Sequence, residues 1–255
     1  MTRLGVTGAA GRMGETVIET AGDRDDVEVV FGVDATDIEE VLGVPVSDPD
    51  RFEALLDERE PDAVIDFSVP KATVQFAPAC AEAGVSLVTG TTGFDDLQFE
   101  TVAAASERTP VLKATNFARG IQALLRTVAA AVEALPGYDI EVTETHHNGK
   151  RDAPSGTANT IIEAIRDARN EDFEEVYGRE GIQPREDDEI GVHVRRAGDI
   201  RGEHEIMLAG NDEVLTLTHR AEDRGVFAAG AIDAAVWLTE QEPGWYEFDE
   251  MIDTE

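Results

Sequence analysis

Near the N-terminus the chain reads Leu4-Gly5-Val6-Thr7, followed by Gly8-Ala9-Ala10-Gly11-Arg12-Met13-Gly14. The first four residues favour a short β-strand, and apolar residues then recur at helical spacing at Val17, Ile18 and Ala21. Glycines between a strand and a helix let backbone N–H groups approach a phosphate, and the helix N-terminus adds a partial positive charge. The stretch therefore predicts a dinucleotide-binding turn.

The next strand strengthens this prediction. It covers Val27–Val33 and ends at Asp34, about 20 residues after Gly14, which is the offset expected for a carboxylate that binds the adenosine ribose. Ala35 follows and offers no positive charge to a 2′-phosphate, which Asp34 would also repel. The pattern favours NADH over NADPH, although Arg12 could reach the same region.

Strands and helices continue to alternate along the first half. Strands are predicted for 63–68, 85–89 and 110–113, and helices for 71–83 and 95–107. This alternation predicts a parallel, Rossmann-like sheet whose ligands lie at the carboxyl ends of its strands. Three segments fall there, 67–70, 90–93 and 114–117. Each alone is typical of a polar loop, but together they predict a cofactor trough.

The second half contains a loop rich in chemically competent side chains. After a helix that contains Ile121 and Val132, a strand over 139–145 leads into His146, His147 and Lys150, and the next helix starts near Ser155-Gly156-Thr157. Helix N-terminal amides bind anions, so these groups predict a carboxylate site with a cation able to give a proton. The alternatives are a histidine metal pair, which lacks a third ligand, and a solvated lysine. No metal site is predicted.

The remaining segments complete a two-domain α/β prediction, with a Rossmann-like dinucleotide-binding domain and a second α/β domain that has a mixed sheet. Strands at 190–195, 204–208 and 214–218 suit antiparallel pairing, 171–188 has the composition of an irregular insertion, and a helix over 224–239 returns to the first domain. The dinucleotide-binding domain is predicted to comprise 1–117 and 225–255. The substrate-binding and oligomerisation domain is predicted to comprise 118–224. His193, His204 and His219 are interpreted as structural or rim groups.

Composition excludes several classes of partner. The chain has 54 Asp and Glu against 21 Lys and Arg, a formal charge of −33, which disfavours nucleic acids and anionic membranes. This charge predicts a salt-adapted protein, the alternative being an ordinary acidic protein with a basic partner. No apolar run is long enough to span a membrane, and the N-terminus lacks the pattern of a signal peptide. The single cysteine, Cys80, favours a reduced cytoplasm.

The loop also carries a resemblance to a known family. Glu141-Val142-Thr143-Glu144-Thr145-His146-His147, Lys150, and Asp152-Ala153-Pro154-Ser155-Gly156-Thr157-Ala158 closely resemble the signature of the dihydrodipicolinate (4-hydroxy-tetrahydrodipicolinate) reductases. The glycine turn, the three rim segments, and later stretches around Arg196-Ala197-Gly198-Asp199 and Thr218-His219-Arg220 also resemble the family. The resemblance covers nearly the whole chain. Ser68 stands where threonine is common, and Ala35 stands where some members carry arginine, which leaves a preference for NADPH in doubt.

The resemblance implies a function and a set of roles. It implies reduction of 4-hydroxy-tetrahydrodipicolinate to tetrahydrodipicolinate with NADH or NADPH, in lysine biosynthesis through diaminopimelate, by a cytoplasmic homotetramer. His146 is expected to be the proton donor or acceptor and Lys150 a proton donor. Substrate contacts are expected from His147, Ser155, Gly156 and Thr157. Cofactor contacts are expected from Gly8, Ala9, Ala10, Gly11, Arg12, Met13, Asp34, Gly90, Thr91, Thr92, Ala114, Thr115, Asn116 and Phe117.

Two rival functions share parts of this pattern. An NAD-responsive regulator would keep the first domain but would give no reason for the His-His-x-x-Lys loop. Another dehydrogenase of amino or oxo dicarboxylates would keep the cofactor site but would not need a Pro-Ser-Gly-Thr carboxylate cradle close to Lys150.

Overall fold

The first 117 residues alternate strands and helices, as their sequence pattern predicts. The computed structural model describes residues 1–170 and 173–253. In chain order the first stretch contains β1 (Thr2–Thr7), α1 (Arg12–Gly22), β2 (Val27–Val33), β3 (Glu40–Val41), β4 (Val44–Ser47), α2 (Phe52–Arg59), β5 (Ala63–Asp66), α3 (Pro70–Ala83), β6 (Ser86–Thr89), α4 (Asp96–Ala104) and β7 (Pro110–Lys113). A 3-10 turn, Ala105–Glu107, extends α4.

The second stretch contains the loop with the histidines and the lysine. Its elements are α5 (Arg119–Ala134), β8 (Asp139–His146), α6 (Gly156–Arg169), β9 (Glu174–Tyr177), β10 (Glu189–Arg196), β11 (Glu203–Gly210) and β12 (Glu213–Arg220). The chain then ends with α7 (Gly225–Leu238), β13 (Gly244–Tyr246) and α8 (Phe248–Asp253). These elements form two compact units, one made of residues 1–117 and 224–255 and the other of residues 118–223.

The first unit is built on one sheet whose strand order is β13-β7-β6-β5-β1-β2-β4-β3. All of its neighbouring strands pair in parallel except β3 and β4, which form an antiparallel hairpin. The carboxyl ends of β1, β2, β5, β6 and β7 therefore meet at one edge, where ligands of such sheets bind. The predicted Rossmann-like fold is confirmed.

Both faces of this sheet are covered by helices. Val17 and Ile18 of α1 and Ile232 of α7 belong to one buried cluster, and α1 packs against α7. Phe52 of α2 and Phe76 of α3 belong to a second cluster, in which their rings are 4.5 Å apart. Burial on both faces explains why the centres of β1, β5 and β6 carry consecutive apolar residues rather than alternating apolar and polar ones.

The second unit has a five-stranded sheet with the order β12-β11-β8-β10-β9. β11 pairs antiparallel with both β12 and β8, whereas β10 pairs in parallel with β8 and with β9. The sheet is mixed, as predicted. The expectation of antiparallel pairing is correct for β11 and β12 and wrong for β10, because α6 intervenes between β8 and β10 and the chain returns to the sheet in the same direction.

The segment 171–188 contains regular structure that the sequence does not suggest. Glu174–Tyr177 forms β9, an edge strand that pairs with Glu189–Val192 of β10. The expectation of an irregular insertion is therefore wrong for these residues, and positions 171 and 172 lie outside the described residues. The charges at this edge are tied by Arg166, whose guanidinium is 2.7 Å from Glu175. Paired charges let a polar segment take an edge position.

Four further features of the first unit are not predicted by the sequence pattern: the β3–β4 hairpin, α2, β13 and α8. The hairpin and β13 contain only two to four residues per strand, which is too short for a period of two to register. In the part of the chain that the structure describes, no helix combines the length and the apolar character needed to cross a bilayer.

Candidate active site

The glycine turn between β1 and α1 is too tight for any other residue at two positions. Gly8 has a φ of +72°, and a Cβ added there would be 2.4 Å from the carbonyl oxygen of Phe67. A Cβ on Gly14 would be 2.1 Å from the carbonyl oxygen of Gly8. The two glycines thus bring the backbone of the turn against the start of α1 and against the loop after β5.

The helix that follows this turn has an N-terminus suited to an anion. Its N-cap is Gly11, which offers no side-chain cap, and the first backbone bond of the helix runs from Glu15 N–H to Gly11 C=O. The N–H groups of the first helical turn, before Glu15, therefore have no acceptor within the helix and point out of its N-terminal end. A phosphate there would meet both hydrogen-bond donors and a partial positive charge. The residues present fit the pyrophosphate of a dinucleotide.

Asp34 lies at the end of β2 beside this turn. One carboxylate oxygen accepts a bond from Ala10 N–H at 3.0 Å, and the other accepts from Thr36 N–H at 2.8 Å. These bonds fix the carboxylate at the edge of a cleft of about 240 Å³. The cleft is lined by Gly8, Gly11, Val33, Asp34, Ala35, Pro49, Phe67, Ser68, Val69, Ala72 and Phe76. The geometry suits a ribose, whose hydroxyls would donate to Asp34.

The other predicted cofactor segments lie at the same edge of the sheet. Gly90 follows β6, and a Cβ there would be 2.2 Å from the ring of Phe67. Thr91 is buried while Thr92 is exposed, and Ala114 follows β7 with its N–H bonded to Thr89 C=O. Adjacent strands thus bring the segments 90–92 and 114–117 together, as predicted from the topology.

Phe117 differs from the expectation of a simple ligand contact. Its ring is only 2% exposed and makes edge-to-face contacts with Phe67, at 5.7 Å, and with Phe248, at 5.3 Å. Gly230 of α7 lies against the Phe117 backbone, where an added Cβ would be 1.8 Å from the carbonyl oxygen. The side chain of Phe117 therefore belongs to the core of the first unit, and its carbonyl oxygen packs against α7.

In the second unit, His146 is the last residue of β8 and its ring is held by a buried carboxylate. Alternation along the strand puts Glu144 and His146 on the same face. Glu144 is fully buried, and its Oε2 is 2.5 Å from Nδ1 of His146. Glu144 Oε1 also accepts a bond from Ser155 N–H, at 3.1 Å, which connects the strand to the start of α6.

Arg196 completes this cluster from the neighbouring strand. It is aligned with His146 in the parallel pairing of β8 with β10, and its guanidinium donates to both oxygens of Glu144 at 2.8 Å. Burial alone would raise the pKa of Glu144, but the hydrogen bonds and charges of His146 and Arg196 prevail and lower it to about 2. Glu144 is therefore an anion at neutral pH, so it accepts the hydrogen on Nδ1 of His146.

This arrangement assigns different tasks to the two ring nitrogens of His146. Nδ1 is committed to Glu144, so Nε2 is the atom at which this imidazole can exchange a proton. Gly202 lies next to Nε2, and a Cβ at that glycine would be only 3.2 Å from it. A residue with a side chain there would crowd the reactive edge of the ring.

A second histidine, His204 of β11, packs against His146. The ring centroids are 5.3 Å apart at a steep angle, and Nε2 of His204 is 3.3 Å from Ser155 Oγ. Burial, the largest cause, and the charge of His146 lower the pKa of His204 to about 4. His204 is consequently neutral near pH 7. It contributes a fixed, uncharged wall to the site, consistent with its interpretation as a structural group.

Lys150 lies on the loop between β8 and α6, where its ammonium is paired. Nζ is 2.9 Å from Oδ2 of Asp152, and the lysine side chain is 22% exposed. Burial would raise the pKa of Asp152, but the hydrogen bond and charge of Lys150 lower it. The backbone N–H of Lys150 donates to the carbonyl oxygen of His147 at 3.2 Å, which closes a turn in the loop. The ammonium is therefore held close to the loop rather than extended into solvent.

The start of α6 completes the predicted substrate group. Ser155 is its N-cap, and Ser155 Oγ accepts a bond from Ala158 N–H at 3.2 Å. Gly156 is exposed at the first helical position, Thr157 is buried and His147 is half-buried. The loop thus brings His146, Lys150 and the N-terminus of α6 together in one place, and the charge of Lys150 is among those acting on His204.

Sequence reasoning did not assign functional roles to Glu144, Asp152 or Arg196. A signal for Glu144 existed in its spacing of two from His146, which places both on one face of a strand. Arg196 is 52 positions from Glu144 in sequence, and only the parallel register of β8 with β10 brings them together. Within residues 1–170 and 173–253, no cluster of three or more metal-ligating side chains is present.

The fold and these sites define a class of protein. A Rossmann-like unit with a glycine turn and an acidic residue after β2, in a chain whose second unit presents a histidine and a lysine at a strand end, characterises a nicotinamide-dinucleotide-dependent oxidoreductase.

Comparisons with known proteins specify the family. Residues 2–117 match the family model for the N-terminus of dihydrodipicolinate reductase, and residues 120–252 match the model for its C-terminus. The chain belongs to the dihydrodipicolinate reductase family. The resemblance seen in the sequence is confirmed.

Individual relatives agree with this membership. The 4-hydroxy-tetrahydrodipicolinate reductase of Haloarcula marismortui is 57% identical over 99% of this chain and 100% of its own length. That of Natronomonas pharaonis is 58% identical over 97% of this chain and 98% of its own. A solved structure of dipicolinate-bound dihydrodipicolinate reductase from Paenisporosarcina sp. TG-14 is 25% identical, with a TM-score of 0.79 and coverage of 97% of each chain.

Proposed function

We propose that this chain reduces 4-hydroxy-tetrahydrodipicolinate to tetrahydrodipicolinate with NAD(P)H, in the diaminopimelate route to lysine. The family membership and relatives of that name, similar over almost their full length, support the reaction. The observation that carries the mechanism is the cluster of His146, Glu144 and Lys150 at the end of β8, next to the N-terminus of α6.

The first unit supplies the cofactor site in this proposal. The bound nicotinamide supplies a hydride. The N–H groups of Arg12 and Met13 at the start of α1 would hold the pyrophosphate, and Asp34 would accept bonds from the adenosine ribose. The N–H groups of Gly8 to Gly11 are bonded to Val33, Asp34 and Gly8, so these four residues would shape the floor of the site rather than donate to the phosphates. Residues 90–92 and 114–117 line the remaining part of the trough at the ends of β6 and β7. The tight contacts at Gly8, Gly14 and Gly90 support this site, because a side chain at any of them would collide with the backbone of the turn or with Phe67 and displace it.

NADH is the proposed preferred cofactor. Asp34 is fixed by two backbone amides at the edge of the cleft, so it cannot turn away from a 2′-phosphate without losing both bonds. Ala35 also lines the cleft and carries no charge that would neutralise such a phosphate. A kcat/KM for NADPH equal to that for NADH would overturn this preference.

The second unit binds and protonates the substrate. Loss of the 4-hydroxyl group as water leaves a conjugated C=C–C=N system, and hydride addition to that system places developing negative charge on a ring that already carries two carboxylates. Lys150 stabilises that charge as an ammonium and gives the proton, exchanging its contact with Asp152 for one with the substrate. His146 relays protons at Nε2, since Glu144 holds Nδ1.

The remaining groups position the dicarboxylate. His147 and the N-terminus of α6, at Gly156 and Thr157, are proposed to bind a substrate carboxylate, because that helix end offers donors and a partial positive charge. Ser155, whose N–H is bonded to Glu144, is proposed to position this helix end as its N-cap. In a chain with a formal charge of −33, such a local donor site is needed to attract a dianion.

Residues 118–224 are also proposed to form a homotetramer interface. Helices α5 and α6 pack on one face of the mixed sheet, where Ile206 and Leu208 are buried. The other face presents Thr143, Met207 and Thr216, which are partly or fully exposed. A sheet with one open face can be covered by a second copy of the chain. Sedimentation in molar KCl tests this proposal, and a monomer at micromolar concentration would contradict it.

The proposed setting is a salt-rich, reduced cytoplasm. The acidic composition and the buried thiol of Cys80 support it, and relatives come from Haloarcula and Natronomonas. The decisive experiment follows NADH oxidation in molar KCl, with substrate generated from pyruvate and aspartate semialdehyde by the preceding synthase. We expect turnover that requires both NADH and the substrate made by the synthase. Nucleotide binding without turnover would support a regulator instead, and turnover with other oxo dicarboxylates alone would support a different dehydrogenase.

A further inference from the structure

Asp66 at the end of β5 is a buried carboxylate with an unusual set of partners. Its side chain is 0% exposed. Within the described part of the chain its two oxygens accept six hydrogen bonds, five from hydroxyls and one from a backbone amide. A buried carboxylate is costly unless its oxygens are satisfied, and here neutral donors satisfy it.

The hydroxyl donors come from separate elements at the ligand-binding edge of the first unit. Thr7 ends β1 and donates at 2.6 Å, Thr89 ends β6 and donates at 2.8 Å, and Thr73 of α3 donates at 2.7 Å. Ser68, in the loop after β5, donates at 2.5 Å, and Thr91, after β6, donates at 2.9 Å. Asp66 therefore ties the ends of three strands and the first turn of a helix to one point.

The chemistry of these groups fixes which partner donates in each hydrogen bond. A carboxylate accepts hydrogen bonds and has none to give, and each hydroxyl has a single hydrogen. The hydroxyls of Ser68 and Thr91 therefore donate that hydrogen to Asp66. Toward any other group they act only as acceptors.

Among these residues, Ser68 is the one whose acceptor oxygen a ligand could reach. It is half-buried and lines the cleft that also contains Gly8 and Asp34, whereas Thr7, Thr73 and Thr89 are fully buried. Asp34 also presents only acceptors. The side chains at this edge thus favour a ligand group with an N–H or O–H donor. They disfavour phosphate oxygens, for which the donors are the amides at the start of α1.

We propose that Asp66 is a positioning residue of the cofactor site, which acts by making Ser68 an obligate acceptor for a donor group of the bound dinucleotide. This inference rests on the proposed dinucleotide function. The donor is either the carboxamide NH₂ of the nicotinamide or a hydroxyl in the ADP-ribose part, and both have the same hydrogen-bonding chemistry.

A double-mutant cycle on NADH binding tests this role. In molar KCl, Ser68→Ala is expected to weaken NADH binding about fivefold to tenfold, the usual effect of one hydrogen bond. Asp66→Asn introduces an NH₂ group that forces hydroxyls to turn, and is expected to weaken binding about tenfold. If Asp66 acts through Ser68, Asp66→Asn has little further effect on affinity in the Ser68→Ala background. Additive losses would show a general structural role and overturn the proposal.

Thr73→Val is the matched control. It removes one donor from Asp66 with almost unchanged shape, at a position that does not line the cleft. It should lower the melting temperature but leave the Kd for NADH within about twofold. A loss of NADH affinity as large as that of Ser68→Ala would contradict the specific role of Ser68.

Comparison of two ligands identifies the donor and keeps the test decisive if Asp66→Asn does not fold. Loss of affinity in Ser68→Ala for NADH but not for ADP-ribose assigns the carboxamide, and equal loss for both assigns the ADP-ribose part. Unchanged affinity for both ligands overturns the proposal. Failure of the wild-type chain to bind either ligand would instead refute the proposed function itself.

Discussion

Nδ1 of His146 lies 2.5 Å from Oε2 of the fully buried Glu144. The carboxylate is also held by two bonds from Arg196, and its pKa is lowered to about 2. The ring of His146 therefore has a fixed orientation and a fixed tautomer. Reactivity is confined to Nε2, which makes the proposed proton transfer a property of three residues rather than one.

Replacing Glu144 tests this relationship. Glu144→Gln keeps the shape but removes the charge, so it is expected to lower kcat by about 10-fold to 100-fold, less than the loss of a direct acid or base. The loss should fall on kcat and leave the Kd for NADH unchanged, because the dinucleotide site belongs to the other unit. Steady-state kinetics and NADH titration measure the two quantities.

Glu141→Gln is the matched control for that variant. Glu141 lies on the same strand, β8, and contacts Arg185 and His193 rather than His146. It should change stability without lowering kcat. If Glu144→Gln also retained the wild-type kcat, the carboxylate would have no role in holding His146 for proton transfer.

Lys150→Ala tests the proposed role of the Lys150 ammonium as proton donor. The variant is expected to lose at least about 10²-fold in kcat, the lower range for one acid or electrostatic group. NADH binding should survive, since the glycine turn and Asp34 belong to the other unit. Steady-state kinetics and NADH fluorescence titration measure the two quantities. Arg151→Ala, which removes the neighbouring exposed cation, is the control and should retain turnover. Near-normal turnover of Lys150→Ala would remove this lysine from the mechanism.

Much of this site follows from local sequence. The glycine turn, Asp34 and the loop from His146 to Ser155 were predictable because strand, turn and helix are close together along the chain, and each needs particular residues at fixed spacing. The Rossmann-like sheet followed from the same alternation. The two short hairpin strands and β9 were not predictable, since four or fewer residues carry no clear period and β9 is rich in charge.

Contacts between distant segments account for the rest. Arg196 reaches Glu144 only because β10 lies parallel to β8, and the sequence favoured antiparallel pairing for β10. Asp66 is a single acid at the end of an apolar strand, and its hydroxyl partners are distributed from Thr7 to Thr91. Such networks depend on strand order, which the sequence pattern does not determine.

The stability of the fold is expected to depend on pH through His204. Its pKa falls from the ordinary 6.5 to about 4 on folding. Between these two pH values the histidine is therefore protonated in the unfolded chain and neutral in the folded chain. Stability from this group is therefore complete above pH 6.5 and is lost as pH falls toward about 4, an effect of roughly 3 kcal/mol. In His204→Gln the free energy of unfolding should fall less between these pH values. Denaturant titrations in molar KCl check this, and equal pH dependence in both proteins would contradict it.

Salt should stabilise the folded chain. With a formal charge of −33, the folded state repels itself at low ionic strength, and screening at about 1 M salt shortens the range of that repulsion to about 3 Å. The free energy of unfolding should rise from low to molar KCl, and by more than in sucrose of equal osmolality, which stabilises without screening. A stability that is independent of KCl, or matched by sucrose, would contradict salt adaptation.

Hydride transfer from NADH to a cyclic dicarboxylate is followed by mass spectrometry. The product is formed in molar KCl from synthase-generated substrate and NADH that carries deuterium at both C4 positions of the nicotinamide. We expect one deuterium in each tetrahydrodipicolinate and one NADH consumed per product molecule. Product without deuterium, or NADH consumption without this product, would contradict it.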